Sequence, residues 1–182
     1  MNYVGLSKKV SYILRHEQHD NHLEIDDRGW CYLSNLISIL RKDEKFSSVV
    51  KKDIVEMIKL SEKKRHEIDG DKIRATYGHT TGKKIIKQAS PPPNILYHGT
   101  INKFLESIFS VGLHSRERHY VHLSKDIDIA INVAKRRDSF NIVILEVESE
   151  KAYNEGILFY CESDGIWLSD NIPPKYLKVF YL

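Results

Sequence analysis

Three consecutive prolines, Pro91-Pro92-Pro93, constrain this chain more than any other feature. Proline has no N–H and a fixed φ, so such a run continues neither a helix nor a central strand and favours a stiff, extended connector. The segment Gln88-Ala89-Ser90-Pro91-Pro92-Pro93 therefore divides the 182 residues. The reading is a domain at 1–90, a proline-rich linker at 88–93 and a second domain at 94–182. There is no internal repeat and no low-complexity tract.

The two parts differ in charge. Residues 1–93 hold 18 Lys+Arg against 13 Asp+Glu, a net of +5, and residues 94–182 hold 10 against 12, a net of −2. A basic first part suits a polyanionic partner. The two cysteines, Cys31 and Cys161, are far apart and in no CxxC pair. Neither a disulfide framework nor a cysteine zinc site is expected, and a reducing cytoplasm is the expected location. No apolar run approaches membrane-spanning length, and the N-terminus does not read as a secretion signal. No apolar repeat marks a dimer seam, so a monomer is expected.

Hydrophobic periodicity predicts mostly helices before the prolines. Leu6, Val10, Ile13 and Leu14 fall on one stripe of a helix over 5–16. Trp30-Cys31-Tyr32-Leu33 reads as a short strand, with Ser34 capping a helix through Leu40 and Ser47 or Ser48 starting another. Residues 65–68 and 72–75 flank Asp69-Gly70, a hairpin signal. Three helices followed by a hairpin is a winged-helix arrangement. After the prolines strands dominate, at 95–98, 120–123, 142–148, 157–161, 166–168 and 177–181, with helices at 102–110 and 126–137. The fold class is α+β, the second domain being built on a largely antiparallel sheet.

The chemistry-bearing residues are cations and histidines held in short apolar frames. Arg15 and His16 end the first helix, where the helix dipole alone favours cations. Arg74 lies on the return strand of the hairpin and is followed by Tyr77-Gly78-His79-Thr80; His79 would contact a phosphate or hydrogen-bond the turn. His98-Gly99-Thr100 and His122-Leu123-Ser124 each place a histidine and a hydroxyl at a strand end, with Gly99 allowing close approach of a planar ligand. Arg118 stands four residues before His122 in a charged loop. Several ordered arginines and histidines suit a phosphate-bearing substrate. His16, His19 and His22 form an HxxHxxH string, but its spacing runs past the helix end and no metal site is expected. Neither GxGxxG nor GxxxxGK[ST] occurs, which argues against a Rossmann site and a P-loop.

The segments LSKKVSYILRH, IRATYGHT, LYHGT, VGL, RHYVHLS and DGIWLSDNIPPKYL, in that order, resemble the RNA 2′-phosphotransferase family over Leu6 to Leu177. The resemblance implies an N-terminal winged-helix RNA lobe and a C-terminal lobe of the ADP-ribosyltransferase type with a split antiparallel sheet. It implies removal of an internal RNA 2′-phosphate, tRNA being one such substrate, with NAD as co-substrate and no metal. The family's catalytic Arg-His-Arg-Arg set falls on Arg15, His16, Arg74 and Arg118. Its NAD motifs fall on His98, Gly99, Thr100, Gly112, Leu113, His122, Leu123 and Ser124, and its RNA contacts on Lys8 and His79. The chain departs from the family pattern at Tyr77 and Thr80, where Gln and Ser are usual, at Ala134 in place of Gly, and at Asp164 in place of Asn. One alternative is an ADP-ribosyltransferase whose acceptor is a protein, a small molecule or a terminal nucleic-acid phosphate. Another is a non-catalytic RNA-binding protein.

Overall fold

The apolar stripe of the first helix decides where the N-terminal core forms. In the computed structural model, which describes residues 1–16, 22–80 and 83–181, the chain separates into units Met1–Lys87 and Gln88–Leu182. In the first, α1 (Tyr3–His16) buries Leu6, Val10, Ile13 and Leu14, the i, i+4, i+7, i+8 set of one helical face. Helices α2 (Leu33–Leu40) and α3 (Lys51–Lys59) bury Leu36, Leu40, Ile54 and Met57 in the same cluster. Strands β1 (Cys31–Tyr32), β2 (His66–Asp69) and β3 (Lys72–Ala75) form an antiparallel sheet in the order β1-β3-β2.

The helix starts and the turn differ from the sequence expectation. Helix α2 begins at Leu33, before Ser34, and its N-cap position makes no side-chain bond. The Leu33 N–H donates to the Asp71 carbonyl at 2.8 Å, which pins the first residue of the helix to the hairpin. Ser47 follows a short 3₁₀ turn that places Phe46 in the core, and α3 begins only at Lys51. Its start is held by the Asp53 carboxylate, which accepts the Val50 N–H at 2.9 Å. Asp69 pairs with Lys72, which makes Gly70-Asp71 the two-residue turn; Gly70 has φ +57°.

The second unit is built on one six-stranded antiparallel sheet. Its strands are β4 (Leu96–Ile101), β5 (Val121–Ser124), β6 (Ile142–Val147), β7 (Phe159–Cys161), β8 (Ile166–Ser169) and β9 (Leu177–Phe180), in the order β7-β8-β5-β4-β6-β9. One face packs with α4 (Leu105–Val111) around Leu96, Ile108, Val121, Leu123 and Trp167. The other receives α5 (Ile127–Lys135), whose Ala130 and Ala134 meet Ile144. A further helix, α6 (Ser149–Asn154), escaped the sequence reading, because Ser149 and Ala152 are its only buried residues and leave no apolar stripe.

Two expectations change here. His98-Gly99-Thr100 lies inside β4 rather than at its end, because β6 pairs with every residue from Leu96 to Ile101. The proline-rich segment, expected as a stiff connector between the domains, is bonded to the second unit. The Ser90 N–H donates to the Phe159 carbonyl at 2.9 Å, and the Ser149 hydroxyl donates to the Pro93 carbonyl at 2.6 Å.

Candidate functional site

In the first unit the end of α1 is joined to the irregular segment that follows the hairpin. The Thr80 N–H donates to the Arg15 carbonyl at 3.1 Å. His16 Nδ1 and Thr80 Oγ1 are 2.7 Å apart, which fixes the imidazole orientation across 64 residues of sequence. The Arg15 guanidinium lies 5.2 Å from the Tyr77 ring centroid. Gly78 has φ +92°, and a Cβ there would stand 3.4 Å from the Arg15 Cδ and Nε atoms. The glycine thus supplies both the backbone angle and the room for the arginine. His79 is buried, with its Nε2 beside Gly29.

Arg74 is held from three sides. Its Nε and Nη2 donate to Glu67 Oε2 at 2.7 and 2.6 Å, and its Nη1 donates to the Arg28 carbonyl at 3.3 Å. Its guanidinium lies 4.6 Å from the Trp30 ring centroid. The Arg28–Trp30 turn is itself tied by Asp26, which accepts the N–H groups of Arg28 and Trp30. Against the upward push of burial, these bonds and the Lys72 ammonium hold the Asp26 carboxyl below its usual range. The Arg28-Gly29-Trp30 turn therefore touches both Arg74 and His79.

A buried histidine behind α1 completes this region. His66 Nε2 bonds Ser11 Oγ at 2.9 Å. Burial, reinforced by the charges of Arg15 and Arg65, pushes its pKa down to about 3. His66 is therefore neutral near pH 7, and the positive charge here belongs to the arginines. Lys8 is exposed on α1, in the same groove as Arg15 and His16.

In the second unit the sheet is weakest where the two histidine motifs meet. The β4–β5 ladder has a single registered pair, Tyr97↔Ser124, whereas β4 pairs with β6 at six positions. His98 spans the opening: its Nδ1 donates to the His122 carbonyl at 2.9 Å. Burial, with the Arg137 charge, lowers the His98 pKa against the raising effect of that bond, so the ring is neutral with its proton on Nδ1. His122 Nδ1 donates to the Tyr120 carbonyl at 3.1 Å. The two motifs are not equivalent. His98 shares its face of the sheet with Leu96, whereas His122 and Ser124 alternate with the core residues Val121 and Leu123 and so lie on the other face. Thr100 and Ser124 are both buried.

The glycines have a packing reason. A Cβ on Gly99 would lie 2.0 Å from the Ala130 carbonyl oxygen, so the bare face of Gly99 is taken by α5, not held open for a planar ligand. Gly112 ends α4 at φ +94°, and a Cβ there would lie 2.3 Å from the Ile172 carbonyl oxygen. Leu113 is buried and exchanges backbone bonds with Ile172. Arg118 is exposed in the loop before β5, and its N–H donates to the Ser115 carbonyl at 3.1 Å. His19, the middle of the HxxHxxH string, lies outside the described residues. Among the described residues no three His, Cys, Asp or Glu side chains gather as a metal site, and no helix is long and apolar enough to cross a membrane.

Sequence reasoning missed Glu67, Trp30 and Ser11. Glu67 faces Arg74 in the register of the Gly70-Asp71 turn, which is not the Asp69-Gly70 turn that the sequence suggests. Trp30 and Ser11 carried no signal, because their contacts join separate elements.

The model of the RNA 2′-phosphotransferase, Tpt1/KptA family matches residues 2–171. A probable RNA 2′-phosphotransferase of Acetivibrio thermocellus is 46% identical over 98% of this chain and 97% of its own length. One of Bacillus thuringiensis subsp. konkukian is 46% identical over 97% and 95%. A third, of Rhizobium rhizogenes, is 37% identical over 95% and 91%.

Proposed function

From the premise that the chain belongs to the RNA 2′-phosphotransferase, Tpt1/KptA family, we propose that it removes an internal 2′-phosphate from RNA, with NAD as co-substrate. The observation that carries this reading is the junction of Arg15, His16 and Thr80. It brings two motifs far apart in sequence to the end of one helix, where fixed cationic and imidazole donors suit a phosphate.

In the first step a 2′-phosphate oxygen attacks C1″ of the nicotinamide ribose, and nicotinamide leaves with the bonding pair. In the second the ribose 2″-oxygen attacks phosphorus and the RNA 2′-oxygen leaves, taking a proton. The products are 2′-OH RNA, nicotinamide and ADP-ribose 1″,2″-cyclic phosphate. Arg15, Arg74 and Arg118 are assigned to the phosphate oxygens, where guanidinium groups stabilise charge that builds during phosphoryl transfer. His16, oriented by Thr80, donates to the phosphate and carries the proton of the second step.

We read the first unit as a winged-helix RNA lobe, with Lys8 as an RNA contact and the buried His79 supporting the turn beside Arg15 rather than meeting RNA, and the second as a lobe of the ADP-ribosyltransferase type. The open β4–β5 seam fits NAD, because strand-edge backbone groups not used by a ladder can bond the carboxamide. His98 and His122, with Thr100, Leu123 and Ser124, frame that seam, and Gly99, Gly112 and Leu113 keep its neighbours in place. The substrate is an RNA with an internal 2′-phosphate, tRNA being one such class, and the protein acts as a monomer in the cytoplasm.

The test is incubation with NAD and a short RNA bearing one internal 2′-phosphate, without added metal. Formation of 2′-OH RNA with ADP-ribose cyclic phosphate is the expected result. ADP-ribose transfer to another acceptor, with the 2′-phosphate untouched, would overturn it.

A further inference from the structure

The residues above account for one end of α1 and, on its outer face, for Lys8 alone. That face carries Lys8, Tyr12 and Arg15-His16 at helical spacings of four and three residues, so they lie along one side of the helix. Two grooves flank it. One, of about 730 Å³, runs between α1 and the segment after α3, with Lys63, Arg65 and Leu60 opposite Lys8, Tyr12 and Arg15. The other, of about 660 Å³, lies on the far side of α1 and includes Lys9, Lys45 and Phe46. Lys8 and Tyr12 line both, so they form the ridge between them.

Tyr12 crowns that ridge. It is 50% exposed, on a helix face that otherwise carries cations and His16. Its ring centroid lies 5.5 Å from that of His16, and the Lys9 ammonium lies 5.8 Å from its centroid. The cations of the two grooves, Lys8, Lys9, Arg15, Lys45, Lys63 and Arg65, outnumber their acids, Glu62 and Asp43. An exposed aromatic ring among cations, next to a phosphate-binding residue, is the arrangement that binds single-stranded nucleic acid. The ring stacks on a base and the cations follow the backbone. A duplex would not expose a base face to it.

Resting on the function proposed above, we propose that the outer face of α1 is a track for single-stranded RNA. Tyr12 is the platform for a base beside the 2′-phosphorylated nucleotide, and Lys8, Lys63 and Arg65 hold the flanking phosphates. From Arg15 to Lys8 the helix rises about 10 Å, the length of about three stacked nucleotides. Recognition by stacking is tolerant of sequence, so the track selects RNA that is unpaired around the 2′-phosphate rather than one particular sequence.

The experiment compares a dinucleotide carrying the 2′-phosphate with RNAs extended by three unpaired nucleotides on either side. Turnover with NAD is measured for the wild type, Tyr12→Ala and Tyr12→Phe, and binding of the same labelled RNAs is measured without NAD. The wild type should prefer an extended RNA by on the order of tenfold, the size of one base–aromatic stack. Tyr12→Ala should lose most of that preference in both kcat/KM and Kd, and Tyr12→Phe should keep it. Equal handling of short and extended RNA by the wild type would overturn the track, as would a preference that survives in Tyr12→Ala. Absence of turnover on every RNA would overturn the function instead, and the Kd comparison would still decide the track. Thermal melting of the two variants checks that the helix is intact.

Discussion

Arg74 and Glu67 face each other in register across β3 and β2, and one carboxylate oxygen of Glu67 takes both the Nε and Nη2 protons of the arginine. The pair is partly exposed, so its contribution to stability is within about 1 kcal/mol. Its larger effect is on aim: Glu67 and Trp30 fix the guanidinium plane. Glu67→Ala should lower kcat about tenfold by misplacing that group, with little change in melting temperature. Glu67→Gln keeps an acceptor oxygen and should restore most of the loss. Arg74→Lys should fail, because one ammonium cannot hold Glu67 and a phosphate in the same geometry. Steady-state kinetics on a 2′-phosphorylated RNA would check all three.

His66 links the same region to pH. Its folded pKa is depressed to about 3, first by burial and then by Arg15 and Arg65. The unfolded chain, with an ordinary histidine, takes up the proton more readily. Stability from this residue is therefore complete above about pH 6.5 and is lost as pH falls toward 3. His66→Gln, which can still bond Ser11, should flatten the dependence of unfolding free energy on pH between about 6.5 and 4. The difference between the two proteins should reach a few kcal/mol at the acid end. Urea unfolding at a series of pH values would measure it, and parallel curves would refute the assignment.

Gly99 is expected to be intolerant for a reason of packing. A methyl group there would meet the Ala130 carbonyl oxygen at 2.0 Å and the Ala134 nitrogen at 3.1 Å, both backbone atoms of α5. The helix must withdraw from β4, and overpacking of this kind costs about 1–3 kcal/mol. Gly99→Ala should destabilise the second unit by at least that much in chemical denaturation. Ala134→Gly, by contrast, creates no clash; it should cost about 1–2 kcal/mol through helix propensity and the loss of one buried methyl.

How much of this was legible follows the range of each interaction. The α1 stripe was readable because Leu6, Val10, Ile13 and Leu14 answer to one helix period. The hairpin was readable because Gly70 allows its turn. The start of α2 at Leu33, ahead of Ser34, is not legible, because the bond that ties Leu33 to Asp71 spans 38 positions. Gly99 reads as clearance for a ligand, because nothing in LYHGT reveals the helix that packs on it. The cationic residues could be picked out by type, but their supports could not. Only the structure places Thr80 on His16, Glu67 on Arg74 and His98 on the His122 carbonyl.

Thr80 offers the sharpest separation of chemistry from folding. Its N–H joins the Arg15 carbonyl and its hydroxyl joins His16 Nδ1 at 2.7 Å, so side chain and backbone have separable roles. Thr80→Val keeps the shape and the backbone bond but removes the hydroxyl. The imidazole then loses its orienting partner, and kcat should fall by about tenfold or more, the scale of a misaligned acid–base group. Thr80→Ser restores the hydroxyl and should return activity to near the starting level. The pH profile gives the decisive readout. If His16 carries the proton of the second step, Thr80→Val should shift the acid limb of kcat, whereas a purely structural role would lower the whole profile without moving it.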